Sequence, residues 1–290
     1  MIPIRNVYYM LAYAWNHLQE SRTIDLSGID AETPEDLLAI VLARGTLRLL
    51  KRGVDRDYLD REEALRGVRG MIQVSTTLKR ALRARGEVAC QFDELSEDIL
   101  ANRIIATTLR SLLRLGSLSK GVRREVELVY GRFPRVSPLR ITSADFAGVV
   151  IHRNNRFYRF LLDVCRLIHE NSISDQSASG ALRFRDFRDD EATMHKLFED
   201  FVRNFLKIEQ TEFKVHSPKI PWDVTEADEH SLSLLPEMQT DIVLENDEEV
   251  RIIDTKFYKE PLGDHHRAHK LRSGNLYQVM SYLSAFIASA

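Results

Sequence analysis

Apolar residues recur at helical spacing over much of the chain. Asn6 to Gln19 and Asn155 to Glu170 each place their large apolar side chains on one side of a helix, which predicts two amphipathic helices. A third helix is expected from Pro34 to Arg52, because proline suits the first helical position and Gly53 follows as a stop signal. Further helices are expected at residues 96–114, 119–131 and 190–207, with a short β region at 54–72. The pattern predicts an α-rich N-terminal region with a small β element.

One short segment interrupts this pattern. Residues 171–180, NSISDQSASG, are mostly small and polar, which is typical of a loop or linker. We therefore predict two parts, an N-terminal region of residues 1–180 and a C-terminal domain of residues 181–290. The fold class expected for the whole chain is α+β.

The C-terminal part contains a predicted β-hairpin with charges inside it. Residues 238–255 contain two runs of β-branched and large apolar side chains, joined by an acidic turn. Asp241 lies in the first run, and Asp254 and Lys256 close the second. Because successive strand residues point to opposite faces, Asp254 and Lys256 share a face and Thr255 takes the other. Charges in such a place are costly unless they are paired or bind a metal ion.

These charged residues suit a metal-dependent phosphodiester hydrolase. Two strand-borne carboxylates can hold Mg²⁺, while water and a phosphate complete its ligands. A lysine beside them can orient a water molecule and offset the charge that develops on a phosphodiester under attack. The alternative is a surface hairpin on which Asp254 and Lys256 form a solvated ion pair. A second triplet, Glu212-Phe213-Lys214, has no strand-borne aspartate upstream, and we interpret it as a chance match.

Two predicted helices add residues to the candidate site. Gln278 and Tyr282 are i, i+4 neighbours and share one helix face downstream of the hairpin. Glu199 lies on the predicted helix upstream of the hairpin, where it is interpreted from the residues alone as a surface or capping acid.

Metal sites built from histidine or cysteine are not indicated. Cys90 and Cys165 are isolated in the sequence, which indicates neither a disulfide framework nor a zinc site. A histidine group near the C-terminus lacks companion Cys or acid side chains at ligand spacing. We interpret this group as a mobile loop able to contact DNA phosphate; it comprises His265, His266 and His269.

The residues of the candidate site resemble a known signature. Asp241, the triplet at residues 254–256 and the segment at residues 278–282 are similar to the PD-(D/E)xK nuclease pattern with the QxxxY extension of RecB-type nucleases. Thr240 stands where that pattern has proline. Longer segments resemble the McrC family, the nuclease subunits of McrBC restriction systems: IPIRNVYYMLAYAWNHLQE, LSEDILANRIIATTLRSLL, NRFYRFLLDVC, LPEMQTDI, IIDTKFYK and NLYQVMSYL.

The resemblance implies a fold, an activity and a partner. It implies a restriction-endonuclease-like α/β core in residues 181–290, truncated at its C-terminal end, and a partner-docking role for residues 1–180. The implied activity is that of a Mg²⁺-dependent DNA endonuclease subunit of type IV restriction, which cleaves double-stranded DNA with modified (methylated) cytosine. The implied partner is a McrB-like AAA+ GTPase ring whose GTP hydrolysis the chain stimulates. The chain itself has no GxxxxGK[ST] nucleotide-binding motif.

The resemblance also gives each candidate residue a role. Asp241 and Asp254 hold the metal ion, with Glu199 as a candidate third ligand. Lys256 orients and polarises the attacking water molecule. The residues expected to brace the site or contact the DNA backbone are Gln278 and Tyr282.

The net charge of −2 hides an asymmetry. Residues 1–188 contain 30 Lys and Arg against 23 Asp and Glu, a net charge of +7, whereas residues 189–290 contain 11 against 20, a net charge of −9. The part with the candidate site therefore repels the DNA backbone unless divalent ions or another surface supply the attraction. Acids on solvated faces explain the sum equally well.

The sequence also bears on location. No apolar run approaches the roughly 20 residues of a membrane span. The N-terminal segment is too broken by polar side chains for a signal peptide. We therefore expect a cytoplasmic protein with no membrane contact.

Two other functions stay open at this point. One is a self-sufficient RecB-like DNA exonuclease, which cleavage by the isolated chain would indicate. The other is a non-catalytic adaptor of a motor ATPase or GTPase, which a failure to bind metal would indicate.

Overall fold

The structure is a computed structural model that describes residues 3–26, 31–150, 155–174, 181–220, 230, 234–235, 238–258, 263–265, 268–270 and 273–289. The chain forms two compact units. The central unit is Ile24–Arg185, and the terminal unit combines Met1–Thr23 with Asp186–Ala290. Within the described residues, no helix is long and apolar enough to cross a membrane.

Helices and short strands alternate irregularly along the chain. The helices are α1 (Ile4–Ala14), α2 (Leu18–Ser21), α3 (Pro34–Arg52), α4 (Val74–Lys79), α5 (Leu100–Leu112), α6 (Lys120–Arg132), α7 (Ser143–Gly148), α8 (Arg156–Asn171), α9 (Glu191–Glu209) and α10 (Ser273–Ser289). The strands are β1 (Asp57–Leu65), β2 (Met71–Ile72), β3 (Val88–Ser96), β4 (Ser172–Ser174), β5 (Leu182–Phe184), β6 (Lys214–His216), β7 (Lys219–Ile220), β8 (Met238–Gln239), β9 (Ile242–Glu245), β10 (Val250–Ile253), β11 (Gly263–His265) and β12 (Ala268–Lys270). This mixture of helices and small sheets confirms the predicted α+β class.

Helix α3 is the most completely buried helix described in the central unit. The hydroxyl of Thr33 accepts a hydrogen bond from the amide of Asp36 (3.3 Å), and Pro34 occupies the first turn. Gly45 lets α8 approach closely, because a Cβ atom there would lie 2.4 Å from Cδ2 of Leu161. The predicted bounds of this helix are confirmed.

The central unit also contains a three-stranded antiparallel sheet in the order β1–β3–β2. A buried polar network around Asn102 of α5 fixes one end of its two long strands. The Asn102 side-chain amide donates to the carbonyl oxygens of Asp55 (2.9 Å) and Glu97 (2.7 Å). Tyr158 of α8 donates its hydroxyl to Asn102 Oδ1 at 2.9 Å. The network therefore joins the beginning of β1 and the end of β3 to two helices.

The chain between β1 and β3 is basic and exposes apolar side chains. Residues 66–86, which we call the tip segment, contain six Lys and Arg and no Asp or Glu. Gly70 has a φ of +66°, and a Cβ atom there would lie 2.3 Å from the carbonyl oxygen of Gln91. The Arg69 guanidinium lies 4.0 Å from the ring centroid of Phe92. These contacts hold the turn against β3. The exposed apolar side chains of the tip segment are Val68, Met71, Ile72, Val74 and Leu78.

Helix α1 belongs to the terminal unit. The ring centroid of Tyr13 lies 5.8 Å from that of Phe201 and 5.4 Å from that of Phe205, both on α9. The Asn204 side-chain amide donates to the carbonyl oxygens of Tyr13 and the next residue, both at 3.0 Å. The prediction places α1 in an N-terminal region of residues 1–180, whereas the structure places it in the same unit as the C-terminal part of the chain. Periodicity along the chain predicts that α1 has an apolar face but cannot identify the distant helix that covers it.

The predicted β-hairpin is present, but its first strand changes partner midway. β9 and β10 form an antiparallel pair, with β6 on the other side of β9. β8, directly upstream, pairs with β7 instead. The change occurs at Thr240, whose amide donates to the carbonyl oxygen of Pro218 at 3.3 Å. The predicted strand at 238–244 is therefore two short strands, and Asp241 lies at the bend between them.

Different helices support the two strands on either side of this bend. The buried cluster that includes β9 packs against α9; it comprises Phe213, Ile242 and Leu244 with partly buried Val202, Leu206, Val215 and Ile253. The buried cluster that includes β8 packs against α10; it comprises Ile220, Met238, Tyr282 and Ala285 with partly buried Ile252. The two strands that flank the bend are therefore packed against different helices.

We expect residues 24–185 to fold as an independent fragment, because this range contains the whole central unit. A fragment of residues 1–175 should be less stable. It lacks β5, the partner of β4, and it leaves the apolar side of α1 without α9. Circular dichroism during thermal unfolding of the two purified fragments tests this. A cooperative, higher-melting transition is expected for residues 24–185, and equal stability of the two fragments would contradict the division described above.

Candidate active site

Two carboxylates meet at one end of the β9–β10 hairpin. Ile242 and Ile253 are the last paired residues of this ladder, and Asp241 and Asp254 come directly beyond them. The sequence pattern predicts both aspartates inside strands, whereas the structure places both just outside. The two carboxylates are thus near one another at the end of the ladder, and the charge of Asp241 acts on Asp254.

Asp254 is buried and bonded to Lys256. The Asp254 side chain is 4% exposed and that of Lys256 is 21% exposed. Lys256 Nζ lies 2.8 Å from both carboxylate oxygens of Asp254. Burial raises the pKa of Asp254, the bonded Lys256 opposes this rise, and the negative charge of Asp241 adds to it. The solvated surface pair considered from the sequence does not fit a carboxylate that is this buried.

Asp241 is held by the middle residue of the triplet. The backbone amide and the hydroxyl of Thr255 both donate to Asp241 Oδ2, each at 2.7 Å. Thr255 is itself 5% exposed. The strand pattern predicts that Thr255 faces away from the two charged residues of the triplet. In the structure it faces the carboxylate of Asp241.

Helix α9 adds a side chain that is absent from the predicted site. Burial is the main cause of the raised pKa of Asp254, and an electrostatic interaction with His195 is one of the influences that oppose it. Phe198, one turn further along α9, packs against Phe257 with ring centroids 6.0 Å apart. His195 lies four residues before Glu199, and this helical spacing places the two side chains on the same side of α9. An imidazole in this position is suited to bind a metal ion or carry a proton.

Glu199 has cationic partners on its own helix. Its Oε1 pairs with Arg203 and lies 3.3 Å from Lys196 Nζ. Asp200 pairs with the same two cations, at 3.3 Å from Lys196 and 3.1 Å from Arg203. These ion pairs engage one oxygen of the Glu199 carboxylate. Its role as a third metal ligand stays a prediction.

Gln278 and Tyr282 contact one another and the backbone of β8. The Gln278 side-chain amide donates to the Tyr282 hydroxyl at 2.6 Å, and that hydroxyl donates to the carbonyl oxygen of Gln239 at 3.0 Å. Tyr282 is 5% exposed. Gln239 lies two residues before Asp241, so this chain of hydrogen bonds ties α10 to the strand that leads into the bend.

The aspartate pair fits a hard divalent cation. Among the described residues, no group of three or more His, Cys, Asp or Glu side chains is arranged to hold a metal ion. Mg²⁺, however, commonly uses only one or two protein carboxylates and keeps water or phosphate in its other positions. The Asp254 side chain is 4% exposed and has the charge of Asp241 near it, and Lys256 brings one positive charge to these two carboxylates. A cation between Asp241 and Asp254 would supply the missing compensation.

The second acid-x-Lys triplet has the opposite geometry. Phe213 is buried in the apolar cluster that includes β9, whereas Glu212 and Lys214 on either side are exposed. Their charges are therefore hydrated, and this arrangement favours the interpretation of the triplet as a chance match.

The C-terminal histidines lie partly in a small sheet. His265 ends β11 and His269 lies in β12, and the two strands pair antiparallel. The prediction of a loop is therefore wrong for these two residues, since each strand is only three residues long and too short for the residue types to indicate it. His266 lies outside the described residues.

Comparisons with known proteins agree on one family. The McrBC 5-methylcytosine restriction system component family matches residues 5–290. The type IV methyl-directed restriction enzyme EcoKMcrBC of Escherichia coli (strain K12) is 37% identical over 283 residues, which covers 98% of this chain and 81% of that protein.

The fold is also that of a solved structure. It is a half-complex from a tetradecameric assembly of Thermococcus gammatolerans McrB AAA+ hexamers with bound McrC, and it matches 94% of this chain with a TM-score of 0.59 and 18% identity. The present chain spans 59% of the length of the matched chain. At this identity the likeness extends to the fold alone.

We expect Asp254→Asn to raise the melting temperature of the metal-free protein by a few degrees near neutral pH. Folding raises the pKa of Asp254, so the folded state favours the protonated side chain. The stability that protonated Asp254 contributes is present at low pH and is lost as the pH rises through the folded-state pKa. Asparagine does not titrate and can still accept a hydrogen bond from Lys256. The advantage of the variant should therefore shrink as the pH falls through the raised pKa of Asp254.

Thermal unfolding in EDTA across this pH range measures the effect. Asp247→Asn, in the exposed hairpin turn, is the matched control and should leave the melting temperature unchanged. An Asp254→Asn protein that melts below the wild type at neutral pH would show that the pair with Lys256 outweighs the cost of burial.

Proposed function

The chain belongs to the McrBC 5-methylcytosine restriction system component family, and we propose that it is the nuclease subunit of such a system. The proposed reaction is Mg²⁺-dependent hydrolysis of phosphodiester bonds in double-stranded DNA that contains modified (methylated) cytosine. The proposed core is of the PD-(D/E)xK type, with its active site at the end of the β9–β10 hairpin. The relative from Escherichia coli is a methyl-directed restriction enzyme, which supports this class of substrate.

One arrangement supports this proposal more than any other. Asp241 and Asp254 lie at the same end of one hairpin, and Lys256 is bonded to the buried Asp254 at 2.8 Å. A hairpin with only a structural role gains little from a buried ion pair, because the cost of removing the charges from water commonly exceeds their attraction. Buried carboxylates that share a site with a lysine are better explained by catalysis.

The residues of the hairpin divide the chemistry between them. Asp241 and Asp254 would hold Mg²⁺, which when bound activates water and neutralises charge on the phosphate. Lys256 has three N–H donors, and its two contacts with Asp254 leave one for a water molecule or a phosphate oxygen. From there the ammonium orients the attacking water and offsets the negative charge that develops on the phosphodiester. Gln278 and Tyr282 act by bracing β8.

The charge of the two units supports a partner for DNA recognition. The terminal unit contains 14 Lys and Arg against 22 Asp and Glu, a net charge of −8, and the central unit contains 27 against 21, a net charge of +6. A unit with this excess of acids attracts DNA poorly by itself. We infer that a partner brings the DNA to the active site.

The proposed partner is a McrB-like AAA+ GTPase ring whose GTP hydrolysis the chain stimulates. The solved assembly that shares this fold contains McrB AAA+ hexamers with bound McrC. The tip segment of the central unit combines six basic side chains with exposed apolar ones. Exposed apolar groups among basic ones suit a protein surface with complementary acids, where burial and charge both contribute to binding. We therefore assign docking to the central unit.

We expect Asp254→Ala and Lys256→Ala each to reduce DNA cleavage by about 100-fold or more, because both side chains act on the charge of the transition state. Cleavage of methylated plasmid DNA is measured with the GTPase partner, GTP and Mg²⁺ present. Stimulation of GTP hydrolysis should be retained, which shows that the variants fold and bind the ring.

The exposed triplet supplies the matched control. Glu212→Ala and Lys214→Ala remove the same kinds of charge from a hydrated site and should cleave at the wild-type rate. Wild-type cleavage by both Asp254→Ala and Lys256→Ala would refute the site assignment. Rapid cleavage by the isolated chain would favour a self-sufficient exonuclease instead.

A charge reversal in the tip segment tests the docking surface. We expect Arg83→Glu together with Arg85→Glu to weaken binding to the GTPase ring by about tenfold at low salt, and less at high salt, because screening reduces the contribution of exposed charges. Sedimentation and GTPase stimulation measure the effect. Lys120→Glu with Arg124→Glu on the exposed side of α6 is the control, and equal loss by both double variants would argue against docking through the tip segment.

A further inference from the structure

Thr255, the middle residue of the triplet at positions 254–256, is bonded to one of the two proposed metal ligands. The nuclease pattern leaves this position free, yet Thr255 donates two hydrogen bonds of 2.7 Å to one oxygen of Asp241. The two residues are 14 positions apart and come from opposite sides of the hairpin. Thr255 is also almost completely buried. A residue that served only to continue the chain would need neither the burial nor the hydroxyl contact.

We propose that Thr255 is a positioning residue: it holds Oδ2 of Asp241 so that the other oxygen, Oδ1, stays available to the metal ion. This inference rests on the proposed function, because it assigns Thr255 a role in a metal site. Thr255 itself touches neither metal nor DNA in this role, and it acts through Asp241.

The need for such a residue follows from where Asp241 lies. Asp241 is at the bend between β8 and β9, outside the strand ladder, so backbone pairing does not restrict its side chain. The terminal torsion of an aspartate is broad, so without further contacts the carboxylate of Asp241 could rotate freely. Two donors on one oxygen oppose that rotation.

Threonine suits this task better than most residues. Its β-branched side chain has few χ1 conformations, so the hydroxyl is directed before any metal ion binds. The backbone amide of residue 255 can donate its hydrogen bond to Asp241 whichever residue stands at this position, except proline. The contribution of the hydroxyl can therefore be separated from that of the backbone by changing the side chain alone.

The experiment compares Thr255→Val, which removes the hydroxyl but keeps the shape, with Thr255→Ser, which keeps the hydroxyl. Mg²⁺ is titrated into each protein while the rise in melting temperature is followed. The Mg²⁺ dependence of DNA cleavage with the GTPase partner is measured in parallel. Thr240→Val is the matched control, because Thr240 is also buried, directly precedes Asp241 and directs its hydroxyl to Pro218 instead.

We expect Thr255→Val to raise the half-saturating Mg²⁺ concentration by about 10- to 100-fold in both measurements, as is usual when a group that orients a metal ligand is lost. The cleavage rate at saturating Mg²⁺ should recover most of its wild-type value. Thr255→Ser and Thr240→Val should titrate like the wild type. If Thr255→Val proves too unstable to titrate, Thr255→Ala carries the same expectation.

Several results would overturn the inference. A wild-type Mg²⁺ titration for Thr255→Val would show that the hydroxyl does not position Asp241. Equal weakening by Thr255→Val and Thr255→Ser would assign the effect to packing. Equal weakening by Thr255→Val and Thr240→Val would assign it to the loss of any buried hydroxyl near the bend. Failure of the proposed function is distinguishable from these results, because the wild-type protein would then neither gain stability from Mg²⁺ nor cleave DNA.

Discussion

The burial of the Asp254 carboxylate at the end of a β-hairpin is the constraint on which the terminal unit depends. A charge that loses its hydration there destabilises the fold unless other groups compensate it. Lys256 supplies part of this compensation at 2.8 Å, while Asp241 works against it. The hairpin thus carries an electrostatic cost that a packed apolar strand end would not have, and such costs are found where a protein binds ions or performs catalysis.

The bend at Asp241 is what brings this carboxylate to the site, and two helices hold it from different sides. α9 packs on the cluster that includes β9, and α10 packs on the cluster that includes β8. A row of aromatic contacts connects the first of these helices to both ends of the unit. Tyr13 of α1 contacts Phe201, Phe201 contacts Phe198, and Phe198 contacts Phe257, one residue beyond Lys256. The first helix of the chain therefore supports the same helix that contacts the residue next to Lys256.

Local signals in the sequence predict local structure well in this protein. The proline and glycine at the ends of α3 define its bounds because capping depends on neighbouring residues alone. The apolar runs predict the hairpin, and its position identifies the acidic pair and the lysine. The sequence does not predict the bend at Thr240, the bond from Thr255 to Asp241 or the position of His195 beside Asp254. Each of these depends on a partner that lies far along the chain, and no periodicity or spacing specifies which distant segment will pack there.

If the chain is the nuclease of a restriction system, the charge distribution limits when it can cleave DNA. An active site in a unit with a net charge of −8 has little long-range attraction for DNA, so diffusion alone seldom brings a phosphodiester close to Lys256. A cation at the aspartate pair corrects the field only over a short distance, because salt screens exposed charges beyond roughly 8–10 Å. Cleavage then requires that another body hold the DNA at the site. A nuclease that depends on delivery in this way is restrained by its own electrostatics, and the recognition of modified DNA can remain with the partner that delivers it.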